Sequence, residues 1–443
     1  MSGIEVGFAI FGVMLALMFV RVPIGVSMFI VGFGGYAYLT GGNFNALLNS
    51  LKNLAYARLS NYDLVVIPLF LLMGQFATHG GLSKALFRCV GAFLGHFRGG
   101  VAMAAIGACA GFGAICGSSV ATAATMGQVA LPELRRFGYS GSLATGALAA
   151  GGTLGIMIPP SVPLVIYAIL TQESIGKLFV AAVLPGIIAM LGYMLVVKII
   201  VTWKPDSGPA GPAVAWGEKL RSLLAVFPVL LVFLVVIVGI YGGWANPTEA
   251  AAIGAAACGG IAIVSGGMRG RGLVDSALGT AQHTAMIFLV LLGADMMNTT
   301  LALSQMPAEL ANLVKGSGVA PLLVMALILL IYIFLGCVMD ALAMILLTIP
   351  IFYPMVMGLD YWGMSQDDKS IWFGILALMV VEIGLVHPPV GLNVYIINRL
   401  AKDVPLVETF KGVVPFLLSD FVRITLLVMF PVISLYLVHT FKQ

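Results

Sequence analysis

The sequence predicts an all-α polytopic membrane protein made of two inverted-topology repeats, each with a re-entrant helical hairpin and a Pro-Pro-broken helix. Three observations carry this. Sixty per cent of the 443 residues are hydrophobic against 9% charged. Apolar segments of spanning length recur along the whole chain, and a proline-interrupted motif of the first half returns in the second.

Soluble domains carry roughly 25% charged residues. A chain with 9%, and a mean hydropathy of +1.08, has too little charge to cover a water-facing surface. The 54 glycines would weaken a soluble helical protein; in a bilayer they let helices approach closely. The net charge of +4 comes from basic residues set singly or in pairs between apolar runs, which excludes a nucleic-acid partner. Cys89, Cys109, Cys116, Cys258 and Cys337 sit in apolar stretches without CxxC spacing and read as reduced packing residues. Glu5 precedes the first apolar run and no basic segment leads into it, so that run reads as a retained span.

A spanning helix needs about 20 apolar residues. Taken in order, the clear spans are 4–20, 22–39, 64–79, 178–201, 223–242, 248–266, 278–303 and 412–438. The regions 99–131, 141–172, 320–358 and 371–398 are longer and interrupted by glycine and proline, the first and third reading as hairpins and the others as broken helices. With the N-terminus outside and 99–131 re-emerging on the side it entered, fourteen basic residues fall inside, from Arg21, Lys84, Arg88 and Arg98 through to Arg399 and Lys402. The outside collects only Lys52, Arg58, Lys177, Lys315, Lys369 and Lys442. That asymmetry obeys the positive-inside rule.

The repeat rests on several matches in one order. Gly155-Ile156-Met157-Ile158-Pro159-Pro160 returns as Gly384-Leu385-Val386-His387-Pro388-Pro389, an offset of 229 residues. Tyr167 and Tyr395 follow the two Pro-Pro pairs, Pro185 and Pro415 lie in matching later helices, and Pro23 and Pro247 open matching earlier ones. The first repeat is 1–202, the Pro/Gly-rich segment 203–222 is a cytoplasmic linker, and the second repeat is 223–443. The first starts outside and ends inside, the second the reverse. Inverted repeats with broken helices mark secondary transporters that bind their cargo near the bilayer midplane.

The candidate site residues lie at the interruptions. The first hairpin carries Gly117, Ser118, Ser119, Thr122 and Thr125. Glycine permits a tight reversal there, and the freed carbonyls and hydroxyls are oxygen ligands for a hard cation, tolerable at membrane depth only where they are buried in protein or line a cavity. Pro159 and Pro160, and again Pro388 and Pro389, each remove two backbone donors and leave carbonyls free for sodium, while the half-helix N-termini that follow favour an anion. Ser161, His387, Asn393 and Tyr395 flank those N-termini as candidate substrate contacts, with Gly391 between. Gly336 and Asp340 lie where the second hairpin turns; an intramembrane carboxylate there is functional by default, either as a sodium ligand or as the acceptor that orients the hairpin. Asp295, Asn298 and Glu382 are further intramembrane polar groups, and Arg423 reads as snorkelling or pairing. The five histidines lack metal-ligand spacing, there is no Walker A sequence, and no catalytic constellation of His, Asp and Glu is present, which excludes an ATPase subunit and an enzyme.

At these residues the chain resembles the DctM-like large membrane subunit of tripartite ATP-independent periplasmic (TRAP) transporters. The resemblance covers nearly the whole chain and is carried by 117–125 with Pro132, Arg136, Gly138 and Tyr139, by Pro159-Pro160-Ser161, by Pro247-Thr248-Glu249, and by 384–393. His387 stands where the family carries a small hydroxyl residue. The resemblance implies an elevator-type scaffold plus transport domain, the hairpins and broken helices moving against a scaffold of helices such as 4–39 and 223–266. It implies no cofactor, only sodium as coupling ion, and a place in the bacterial inner (cytoplasmic) membrane. The implied partners are a small four-helix membrane subunit (DctQ-like), a periplasmic solute-binding protein (DctP-like), and a small organic acid as cargo. The competing expectation is a self-sufficient sodium/dicarboxylate-type symporter of a related ion-transporter fold.

Overall fold

In the computed structural model, which describes residues 3–441, the apolar runs fold as helices, and no strand occurs among the described residues. Hydrocarbon offers a peptide group no water, so each segment must satisfy its own backbone, which a helix does. Lys442, placed outside by the charge pattern, lies outside the described residues.

The chain opens with α1 (Gly3–Phe19), α2 (Ile24–Leu39) and α3 (Asn45–Leu59), then a 3-10 turn at Tyr62–Val65 leads into α4 (Val66–His79), followed by α5 (Leu82–Leu94). The first hairpin is α6 (Gly100–Cys116) and α7 (Ser119–Arg136); the first broken helix is α8 (Gly141–Met157) and α9 (Val162–Thr171), bent by 40° at the break. Next come α10 (Ile175–Trp203), α11 (Trp216–Tyr241), α12 (Pro247–Val264), α13 (Gly270–Leu303) and α14 (Met306–Gly316). The second hairpin is α15 (Pro321–Gly336) with α16 (Ala341–Met357), and the second broken helix is α17 (Gln366–Gly384) with α18 (Leu392–Leu400). The chain ends with α19 (Leu406–Met429) and α20 (Val432–Thr440). Among the described residues six helices are long and apolar enough to cross a bilayer, or seven if α8 and α9 count as one span.

Local chemistry sets many of these boundaries. Ser140, Ser174 and Ser365 cap α8, α10 and α17 by accepting a backbone N–H in the first turn. Asn246 and Glu249 form a reciprocal capping box at the start of α12, with Pro247 at its first helical position. The ammonium of Lys369, buried at 5% exposure, donates to the carbonyls of Met357 and Leu359 at 3.2 and 3.0 Å and satisfies the end of α16.

The structure corrects several expectations. The region 412–438 is not one span: α19 stops at Met429, Pro431 has no N–H to continue it, and α20 is separate. Helix α11 begins at Trp216, so only 204–215 of the expected 203–222 linker is non-α; Glu218, Lys219 and Arg221 extend an apolar span into a polar first turn. The helices α3, α5 and α14 were not among the expected spans, because they are short and carry polar residues on one face. In α5 Leu82, Leu86, Phe87 and Cys89 are buried while Lys84 and Arg88 are exposed, the pattern of a helix lying at an interface.

Two helices form the centre. Every residue of α8 from Leu143 to Met157 and every residue of α17 from Lys369 to Gly384 is buried. Both are first halves of broken helices, and a helix apolar all round is a core helix. Around them α19, α6, α7, α10, α15 and α16 pack on one or the other. Elsewhere α13 lies along α2 and α12 along α4. Close backbone approach marks the α8–α19 contact, where a side chain on Gly146 would run into the Gly412 carbonyl. We therefore expect Gly146→Leu to destabilise the protein by about 1–3 kcal/mol through overpacking, read as a lower unfolding temperature in detergent. Gly34→Leu, where a Cβ meets nothing within 4 Å, serves as the control and should leave that temperature unchanged.

Candidate functional site

The first hairpin turns in two residues. Gly117 ends α6 with φ +60°, a conformation that favours glycine. Ser118 then caps α7, its hydroxyl accepting the Ala121 N–H at 3.4 Å. This tip is pressed onto the first break. A Cβ on Gly117 would sit 3.0 Å from the Pro160 carbonyl oxygen, and one on Gly113 would sit 2.5 Å from the Gly155 Cα. One on Gly155 would meet the Ser118 carbonyl at 2.7 Å and the Thr122 hydroxyl as well. Only glycine lets these backbones come so close.

The second half repeats the contact with other residues. Gly336 closes α15, and a Cβ on Gly384 would sit 2.5 Å from the Gly336 Cα. Asp340 caps α16, its carboxylate accepting the Ala343 N–H at 3.2 Å. The Cys337 Sγ lies 3.4 Å from the Pro388 carbonyl and 3.5 Å from His387 Nδ1, so the tip touches the break. The Pro159–Pro160 and Pro388–Pro389 bonds are both cis. Prolines at 159 and 160 have no N–H to offer the Gly155 and Ile156 carbonyls, and those at 388 and 389 none for Gly384 and Leu385. The Asn393 N–H takes up the Leu385 carbonyl at 3.0 Å.

Asn393 ties the second break to the first hairpin. From α18 its Nδ2 donates to Ser119 Oγ at 2.7 Å and approaches the Ala149 carbonyl at 3.4 Å. Ser119, Thr122, Ser161 and Asn393 are all buried, with 3% exposure for Ser119 and none for the other three. Thr122 Oγ1, Ser161 Oγ and Asn393 Oδ1 have no hydrogen-bond partner. Buried polar atoms are nearly always partnered, and unpartnered oxygens among free carbonyls fit a hard cation, which takes oxygen ligands and no nitrogen or sulfur.

The breaks differ in exposure. Pro159, Pro160 and Ser161 are buried, whereas Pro388, Pro389 and Val390 are exposed and His387 is half-buried. Of the remaining expected residues, Thr125 lies half-buried one turn beyond Thr122. Gly391, with φ +60°, starts α18. Tyr395 faces outward at 40% exposure, edge-on to Phe410, and is not gathered with the others.

Sequence reasoning missed a second polar cluster. Asp295 pairs with Arg58 of α3, but Glu382 and Arg423 meet in the core. Arg423 Nη2 lies 3.4 Å from Glu382 Oε2 and 3.0 Å from Asp420 Oδ1. The Tyr193 hydroxyl donates to Asp420 Oδ2 at 3.0 Å and lies 3.3 Å from Thr153 Oγ1. At 3% exposure Arg423 pairs and does not snorkel. The available signal was Asp420, one turn before Arg423 on the same helix face.

Replacing Asn393 by alanine removes the donor shared by Ser119 and Ala149. We expect a loss of ~1–2 kcal/mol, the scale of an interhelical hydrogen bond within a membrane, measured as a shift in the denaturation midpoint of the purified protein, with Tyr395→Ala shifting it less.

The family model described as "Tripartite ATP-independent periplasmic transporter, DctM component" matches residues 11–433. The C4-dicarboxylate TRAP transporter large permease protein DctM of Pseudomonas aeruginosa is 35% identical over 391 residues, which cover 87% of this chain and 89% of that protein. The sialic acid TRAP transporter large permease protein SiaM of Vibrio cholerae is 30% identical over 436 residues, 98% of each chain. The ectoine TRAP transporter large permease protein TeaC of Halomonas elongata is 30% identical over 438 residues, 96% of this chain and 97% of that one. Among solved structures, the crystal structure of the Alcanivorax borkumensis YdaH transporter aligns with a TM-score of 0.62 at 14% identity, covering 87% of this chain and 89% of that one, a likeness of fold alone.

Proposed function

This chain belongs to the DctM family of tripartite ATP-independent periplasmic transporters, and on that premise we propose that it imports a small organic acid, driven by sodium, across the bacterial inner membrane. It is a multi-pass transporter subunit and not an enzyme. The single observation that carries the sodium reading is the set of unpartnered buried oxygens on Thr122, Ser161 and Asn393, beside Ser119 and the proline-freed carbonyls. A sodium ion held there would draw the hairpin tip, the first break and α18 together, since each supplies at least one of those oxygens.

The organic acid is proposed from two features. The similar proteins named above carry C4-dicarboxylate, sialic acid and ectoine in their names. The N-termini of α9 and α18 follow the two breaks, where backbone N–H groups favour a carboxylate. The second break is the exposed one, so we place the carboxylate near His387 and the start of α18, with sodium at the closed first break. Sodium binding then assembles the platform on which Asn393 fixes α18, which couples the ion to the acid.

The alternating step is proposed as an elevator movement of the hairpins and broken helices, related as inverted repeats, against a scaffold of α1, α2 and α11–α13. Supporting that division, α2 and α13 are locked by direct backbone contact: a Cβ on Gly25 would lie 2.9 Å from the Leu289 carbonyl and one on Gly32 2.7 Å from the Met296 carbonyl carbon. On α11, Leu220, Leu224, Phe227, Leu231 and Leu234 are exposed, an apolar side suited to lipid and to the small membrane subunit. A periplasmic binding protein would deliver the acid.

Proteoliposomes holding this chain and its small subunit test the proposal. Uptake should require both an inward sodium gradient and the ligand-loaded binding protein; uptake of free substrate by this chain alone would overturn the tripartite reading in favour of a self-sufficient symporter. Ser119→Ala and Thr122→Val should each weaken sodium activation about tenfold, equivalent to about 1.4 kcal/mol, read as the sodium concentration giving half-maximal uptake. Unchanged sodium activation in both would remove sodium from this site.

A further inference from the structure

The buried cluster of Glu382, Asp420, Arg423, Tyr193 and Thr153 takes no part in the site above. It lies where α8, α10, α17 and α19 meet, and these four helices all pack on one another. Thr153 sits two residues before Gly155, and Glu382 two before Gly384, so the cluster bridges the two helices that end at the breaks.

Its charges do not balance. Among the described residues the charged or titratable groups facing Glu382 are Asp420 and Arg423 from α19 and Tyr193 from α10. Helix α8 adds only the Thr153 hydroxyl and the Met157 sulfur, the latter 3.5 Å from Arg423 Nη1. With both carboxylates ionised, one guanidinium faces two negative charges, and the carbonyl ends of α8 and α17 add partial negative charge. Glu382 and Asp420 are each 1% exposed, and Arg423 is 3% exposed. An uncompensated charge in such surroundings is neutralised in preference to being tolerated.

The two carboxylates are not equivalent. Asp420 Oδ1 accepts no hydrogen bond but lies 3.0 Å from Arg423 Nη2, and its Oδ2 accepts from the Tyr193 hydroxyl, so a charge and a donor both favour its ionised form. Glu382 Oε2 accepts a longer hydrogen bond of 3.4 Å from the same nitrogen, and its Oε1 accepts none. A metal cation would need several oxygens and would sit beside the guanidinium that fills this space. A proton needs one oxygen.

We propose that Glu382 is a proton-binding site, its Oε1 carrying one exchangeable proton while Asp420 and Arg423 form the neutral ion pair. The proton cancels the excess charge between the two broken helices and lets α8 and α17 remain packed through α19. It is separate from the sodium site and does not depend on the transport reading.

Infrared spectroscopy of the full chain in lipid vesicles tests this directly. At neutral pH we expect a protonated-carboxyl C=O band that shifts in D2O, is lost in Glu382→Gln and persists in Asp340→Asn. Glu382→Gln, which mimics the protonated side chain, should also melt at the temperature of the unmodified protein. Absence of the band, its survival in Glu382→Gln, or a lowered melting temperature in that variant would each overturn the proposal. So would loss of the band on adding sodium at fixed pH, which would make the site one for a metal cation.

Discussion

A helix broken inside a bilayer leaves backbone carbonyls with no water to receive, and this constraint organises the molecule. Each break must be covered by another backbone close enough to exclude lipid, and a side chain at the contact would hold the two apart. The protein meets the constraint with glycine on both surfaces: Gly113 faces Gly155 at the first break, and Gly336 faces Gly384 at the second. The hairpins follow from this. A helical hairpin can press its turn against a break while each of its two helices satisfies its own backbone.

From that arrangement the chemistry of the site follows. The first break is roofed by Gly117 and by the start of α7, and the polar side chains described there, Ser119, Thr122, Ser161 and Asn393, are buried hydroxyls and an amide. The sodium proposed for this site would therefore meet neutral oxygens, and the empty site would carry no permanent charge. The charged groups are set aside in a different place. The Arg423–Asp420 ion pair, with Glu382 beside it, lies one turn back from the breaks, where it joins α19 to the central helices. Removing either member of the Arg423–Asp420 pair would leave a buried charge uncompensated and is expensive, whereas the presence of such a pair adds little net stability.

Asn393 shows how the halves are tied. It belongs to the helix after the second break yet donates to Ser119 at the tip of the first hairpin. The helix after the exposed second break is thereby fastened to the hairpin that covers the buried first break. The family shown by the comparisons is a transporter component, and this bridge is the physical link on which the proposed coupling of ion and acid rests.

The amino-acid pattern alone determined the membrane class, because composition and apolar run length are properties of the chain regardless of its packing. It also located both breaks, both hairpin turns and their small residues, since proline and glycine act locally through a missing N–H and an accessible positive φ. It did not reveal α3, α5 and α14, whose polar faces mimic loops, or the interruption at Pro431, which apolar flanks concealed. What only the tertiary structure decided were the pairings between distant residues: Asn393 with Ser119, Gly336 with Gly384, Arg58 with Asp295, and Arg423 with Glu382. Uniform hydrophobicity hides such pairings, because in a bilayer both the lipid-facing and the buried surfaces of a helix are apolar. The periodicity that would distinguish buried from exposed faces in water is therefore lost, and only close backbone contact and polar pairing select which helices meet.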